Sequence, residues 1–171
     1  MGVDNKVEAM LLVVLHNVLS IQRVVEMAKV VYGLGFSTFI VSKASGAAAQ
    51  SGVPEAQKLA LKRSKNFICL SDLSEVLELF SPSEVYIFVP KDYSQEEFSP
   101  LEVVEKIRGG HRVALVFGGL EPGLSRKEIE LGRAVTLPHV SSDVGPVGTA
   151  AIALYEIIKA IGFQRVKDQP P

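Results

Sequence analysis

"VALVFGGLEPGLSRKEIELGRAVTLPHVSSDVGPVGTAAIALYE", Val113 to Glu156, decides the fold class. It opens on a run of apolar β-formers and breaks at a glycine loop. It resumes as a short strand-like stretch and closes in an apolar helix. Glycine and proline fall in the breaks, so each of two loops leaves the end of a strand. Such loops either form a ligand site or only turn corners, and the rest of the chain has to decide between the two.

Outward from this stretch the alternation continues. Strands are expected at Leu11–Leu15, Phe36–Ser42, Phe67–Leu70, Val85–Val89, Val113–Phe117 and Ala134–Leu137. Helices are expected at Ile21–Tyr32, Pro54 to about Lys65, "SDLSEVLELF" with a serine cap, Leu101–Ile107, Ser125–Leu131 and Val147–Ile161. Ser125 and Glu128 have the spacing of a capping box. "KASGAAAQSGV" reads as a flexible loop and "FQRVKDQPP" as a frayed tail. Strands alternating with helices predict an α/β protein with a mostly parallel sheet and helices on both faces. No long linker divides residues 1–171, so one domain is expected, with its core at about 11–162.

The bulk numbers agree with that reading. The chain has 171 residues, 47% hydrophobic and 22% charged, a globular balance. Its net charge of −1 gives no global attraction to nucleic acid or acidic membranes, so any such surface is a local patch. Cys69 stands alone in "NFICL", which excludes an intrachain disulfide and reads as an inert thiol on a buried strand. The start, "MGVDNKVEAMLLVVLHN", has too short an apolar run for a membrane span and does not look like a signal peptide. A soluble cytoplasmic protein is expected, with no membrane partner.

In open parallel sheets, ligands lie outside the carboxyl ends of strands. The loops there are "PKDYSQEEFSP", "GGLEPGL" and "PHVSSDVGPVG", and neither a GxGxxG nor a GK[ST] phosphate loop is present. In "GGLEPGL", Gly118, Gly119, Glu121, Gly123 and Leu124 fit a G-x-E-x-x-G-L-like loop. With Leu137-Pro138 and the helix "AAIALYE", this resembles the SpoU–TrmD (SPOUT) superfamily of RNA methyltransferases, in its SpoU-like branch and as a minimal single domain. "NVLSIQRVVEMAKVVYGLGFSTFIVSK" is similar to that family's first strand–helix–strand unit.

The resemblance implies an α/β-knot fold with a deep trefoil knot. It also implies S-adenosylmethionine as cofactor, a homodimer, and tRNA or rRNA rather than DNA as partner. The implied cofactor residues are Val89, Pro90, Phe117, Gly118, Gly119, Leu120, Glu121, Gly123, Leu137, Pro138, Val144 and Val147. The branch's N-x-x-x-x-x-R-T-A pattern is absent: aligned on Ala28, Ser20 and Glu26 stand at its asparagine and arginine. Its S-L-N loop appears as Asp143-Val144-Gly145. Arg23, Asp143 and His139 are therefore the candidate catalytic residues.

The expected activity is 2′-O-ribose methylation of RNA. The alternatives are an inactive knotted domain that binds S-adenosylmethionine or RNA and, more remotely, a nuclease. A nuclease needs clustered carboxylates for metal ions; Asp72, Asp92 and Asp143 fall in separate loops. The three histidines have no paired spacing, so no metal site is expected. Asn17, Arg63, Arg112 and Arg126 are the candidate RNA contacts, with Tyr93 and Phe98 for base stacking. His16 ends the first strand, on the side where ligands should lie.

Overall fold

The structure is a computed structural model that describes residues 3–120 and 123–167. Its elements are α1 (Asn5–Met10), β1 (Leu11–Val18), α2 (Ile21–Gly33), β2 (Thr38–Ala44), α3 (Val53–Lys62), β3 (Asn66–Leu70) and α4 (Leu73–Phe80). There follow β4 (Glu84–Phe88), α5 (Pro100–Arg108), β5 (Val113–Gly118), α6 (Arg126–Ile129), β6 (Arg133–Val135) and α7 (Gly145–Lys167). The strands make one sheet in the order β3-β2-β1-β5-β4-β6, parallel at every pairing. The expected α/β class with a parallel sheet is the observed one. Strand order defines the sheet and not its threading.

The side-chain period of two divides each central strand between two cores. Leu11, Val13 and Leu15 of β1, Phe39 and Val41 of β2, and Val113, Leu115 and Phe117 of β5 join one core, with residues of α2, α5 and α7. Leu12, Val14, Ile40, Ala114 and Val116 join the other, with Leu73 and Val76 of α4 and Leu124. Both faces are covered, which is why these strands read as continuous apolar runs.

Several expectations change. The stretch read as a loop after β2 holds a π-helical turn, Ala48–Gly52, that runs directly into α3. Pro54 lacks an N–H and cannot continue a regular ladder, and the wider turn before it takes up the defect. Asp72, not a serine, caps α4: the Leu73 amide donates to its Oδ1 at 2.7 Å. β3 is an edge strand, so Cys69 is exposed rather than buried; partial desolvation still pushes its thiol up, away from an activated thiolate. Phe98 is buried between Tyr86 and Phe88 and offers no surface for stacking. α1, which the sequence reading missed, starts at an Asp4 cap.

α7 does not end at residue 161 but continues to Lys167. Its buried stripe is Ala150, Ala153, Leu154, Ile157 and Ile161, while Val147, Ala151 and Ile158 are only half-buried. Among the described residues, Gly145–Phe163 is the helix long and apolar enough to cross a membrane. Here that helix packs on α2 and α5, with Tyr155 and Phe163 exposed on its outer side.

Candidate functional site

The same alternation that builds the cores sets a polar cluster at the carboxyl edge of the sheet. His16 follows Val14 on the α4 and α6 face, and its register partners are Ser42 of β2 and Gly118 of β5. A glycine neighbour leaves the imidazole room, and His16 and Ser42 are both fully buried. Nδ1 lies 2.8 Å from Ser42 Oγ and Nε2 lies 2.7 Å from Glu128 Oε1. With Glu128 ionised, the ring donates from Nε2 and accepts the Ser42 hydroxyl at Nδ1.

Glu128 is set by its own helix. The expected capping box forms: the Ser125 amide donates to Glu128 Oε2 at 2.7 Å, and the Glu128 amide donates to Ser125 Oγ at 3.3 Å. Burial pushes the Glu128 carboxyl up, but the Ser125 amide and the His16 ring outweigh it and hold the group below its ordinary value. It is an anion at neutral pH.

Asp72, at the N-terminus of α4, completes the group. One donor atom each from His16, Asp72 and Glu128 lies within 4.8 Å of the others. Lys43 Nζ lies 4.0 Å from Glu128 Oε1, and its side chain is 54% exposed. Lys43 and Asn17, at the carboxyl ends of β2 and β1, hold left-handed backbones with φ of 53° and 60°. Such a backbone costs a non-glycine residue about 1–3 kcal/mol, least for asparagine, and Ser64, Ser81 and His139 hold it too.

Beside the cluster, the glycine loop after β5 is tied to β1 and α2. The Gly119 amide donates to the His16 carbonyl at 2.8 Å. Arg23 donates through Nη1 to the Gly119 carbonyl, and Asn17 Nδ2 donates to the Gly123 carbonyl at 3.4 Å. Two residues expected to act on RNA therefore hold a loop. Gly119 also turns away from solvent, since a Cβ there would lie 2.7 Å from Asn17 O.

The loops after β4, β5 and β6 enclose a cavity of about 400 Å³. Of the expected cofactor residues, Val89, Pro90, Phe117, Gly118, Leu120, Gly123, Leu137 and Val144 line it, as does Asp143. Gly119, Pro138, Val147 and His139 do not, and Glu121 lies outside the described residues. Asp92 is also in its wall, so Asp92 and Asp143 part company with Asp72.

The basic residues divide as well. Arg63 ends α3 and Arg112 precedes β5, where it donates to the Phe80 carbonyl; both lie at the amino edge, away from the cluster. Arg133 pairs with Glu96 and Glu102, and Lys106 with Glu84. Arg126 and Lys127, exposed on α6, share an element with Glu128.

In fold, the chain is similar to a methylase family protein from Neisseria gonorrhoeae, with a TM-score of 0.75 at 17% identity over 99% of this chain and 88% of that one. It is also similar to the TrmH/SpoU tRNA modifying enzyme of A. aeolicus, with a TM-score of 0.63 at 17% identity over 94% and 80%. The fold is thus that of SpoU-type methyltransferases, and at such identities the likeness is one of fold alone.

By sequence, residues 46–156 match the family described as RecB-family nuclease (DUF2122). A protein of Aeropyrum pernix provisionally named a type II restriction enzyme is 42% identical over 152 residues, 89% of this chain and 95% of that one. Another from Methanocaldococcus jannaschii, similarly named, is 34% identical over 149 residues, 86% and 95% of the two. The chain belongs to the RecB-family nuclease (DUF2122) family.

These relatives overturn the expected S-adenosylmethionine-dependent RNA methyltransferase, with its 2′-O-ribose methylation and its description as an RNA modification enzyme. The physical reason was visible in part. The arginine offered for ribose activation, Arg23, is bonded to the Gly119 carbonyl, and the Asp143 and His139 positions are not gathered with it. The group that is gathered, His16 with Asp72 and Glu128, has its donors on three separate elements and so carries no motif spacing in the sequence.

Proposed function

We propose that this chain hydrolyses phosphodiester bonds in nucleic acid at the carboxyl-edge cluster. The carrying observation is the convergence of Asp72, Glu128 and His16 on one point of the sheet edge, beside the half-exposed Lys43 and the exposed Arg126 and Lys127. Phosphodiester hydrolysis needs anionic groups that act on water and cations that neutralise the phosphate. In the reaction, a water oxygen attacks phosphorus and one P–O ester bond breaks. The water proton passes to a carboxylate, and the leaving alkoxide takes up a proton. Lys43 and Arg126 hold the phosphates; their contribution falls as salt rises.

Duplex DNA is the substrate proposed from the names of the sequence relatives, and RNA is the contrast suggested by the names of the structural neighbours. The test is incubation of the full chain with end-labelled DNA duplexes and RNA hairpins, with the new termini identified. Cleavage of DNA supports the reading, cleavage of RNA alone moves the substrate class, and intact strands in both arms remove it.

The cavity favours a second ligand. Its apolar walls and glycine-rich backbone suit S-adenosylmethionine as a bound cofactor or effector, with Phe88–Pro90, Gly118, Leu120 and Gly123 supplying main-chain groups. Calorimetry that finds no binding at millimolar S-adenosylmethionine removes this part without touching the hydrolytic reading. Exposed Tyr155 and Phe163 on the outer side of α7 suit a second copy of the chain, which light scattering tests.

A further inference from the structure

We propose that His16, Asp72 and Glu128 bind one first-row divalent cation, manganese or zinc in class. The inference deepens the hydrolytic reading by giving those carboxylates a common task, and it rests on that reading for its purpose. The donors are one imidazole nitrogen and two carboxylates, a mixed set that suits such ions and does not suit calcium, which takes oxygen ligands. A cation about 2.1 Å from each donor sets neighbouring donors roughly 3 Å apart. His16 Nε2 and Glu128 Oε1 already stand at 2.7 Å. Asp72 is within 4.8 Å of them on an exposed helix cap, where a turn of its side chain covers the remainder.

The arrangement around the donors is of the kind that orients metal ligands. Ser42 Oγ, 2.8 Å from Nδ1, accepts that N–H once Nε2 is given to a cation. The Ser125 amide fixes the second oxygen of Glu128. The charges facing the point are the two carboxylates and the Lys43 ammonium, so the cluster keeps a negative balance that a dication satisfies. A purely structural His16–Glu128 bond anchors α6 to β1, and the α4 cap accounts for Asp72 Oδ1; neither role needs a donor atom of each residue within 4.8 Å of the others.

The test is calorimetric titration of the metal-free full chain with manganese chloride and, separately, zinc chloride, beside thermal melts with and without each ion. The site predicts one equivalent bound and a rise in melting temperature. Asp72→Asn keeps the helix cap, since Asn caps as well as Asp. It should leave the metal-free melting temperature unchanged and weaken binding by at least roughly tenfold. Absence of binding at millimolar ion, or an Asp72→Asn variant that binds like the parent, overturns the site. Cleavage that persists in excess chelator without metal binding sinks the site and spares the hydrolytic reading. One bound ion with no cleavage of any nucleic acid does the reverse.

Discussion

Replacing Glu128 separates what it does for the fold from what it does in chemistry. Glu128→Ala removes both bonds of the carboxylate. The Nε2–H of a fully buried His16 loses its acceptor at 2.7 Å, and the Ser125 amide loses its partner at 2.7 Å. An orphaned buried donor costs about 1–3 kcal/mol, and loss of a helix-start bond a further 0.5–2 kcal/mol, on the order of what a cap is worth. Glu128→Gln keeps one accepting oxygen, so it should cost roughly half as much. For a chain of this length each kcal/mol is about 2–4 °C of melting temperature. Glu128→Ala should therefore melt roughly 3–20 °C below the parent, with Glu128→Gln in between. Differential scanning calorimetry reads both. An alanine variant as stable as the parent would refute the claim that Glu128 and His16 are bonded in the folded state.

Four further outcomes follow from the same geometry. Gly119→Ala should destabilise by about 1–3 kcal/mol, because its Cβ meets Asn17 O at 2.7 Å and Val18 Cβ at 2.8 Å. Gly162→Ala, with nothing within 4 Å, should be neutral or stabilising in thermal melts. Lys43→Gly relieves a φ of 53° and should raise the melting temperature while weakening nucleic-acid affinity in filter binding. The Arg133 guanidinium lowers the Glu102 carboxyl below its ordinary value of 4.5. A carboxyl lowered on folding contributes stability above its unfolded value, and that stability is lost as pH falls through the folded one. Glu102→Gln should flatten the acid limb of stability against pH below about 4.5 and leave the neutral-to-alkaline limb parallel to the parent.

The sheet was legible because both faces of its central strands are buried, so Leu11–Leu15 and Val113–Phe117 carry no polar interruption. The Ser125–Glu128 capping box was legible because its partners are three residues apart. α1 and the π turn at Ala48–Gly52 were hidden. α1 is a single short stretch with Val7 as its buried residue, and "GAAAQSG" has the composition of a loop while its helical shape comes from packing on α2. The cavity-lining loops could be found from glycine and proline after strands. The edge cluster could not be found by motif, since His16, Asp72 and Glu128 are far apart in sequence. A signal did exist in the strand period: His16 shares the face of Val14, and Asp72 and Glu128 open the helices that cover that face. Family resemblance pulled the reading elsewhere, because the fold and the glycine loop are shared with SpoU-type enzymes while the sequence relatives are nucleases by name.

The central claim is hydrolysis of nucleic acid at His16, Asp72 and Glu128. Its most direct measurement is the time course of end-labelled duplex cleavage by the parent, Asp72→Asn and Glu128→Gln, each first shown to be folded by its thermal melt. The parent should cleave, and both folded variants should lose at least roughly a hundredfold in rate. Variants that cleave as fast as the parent, or a folded parent that leaves DNA and RNA intact with manganese present, would contradict it.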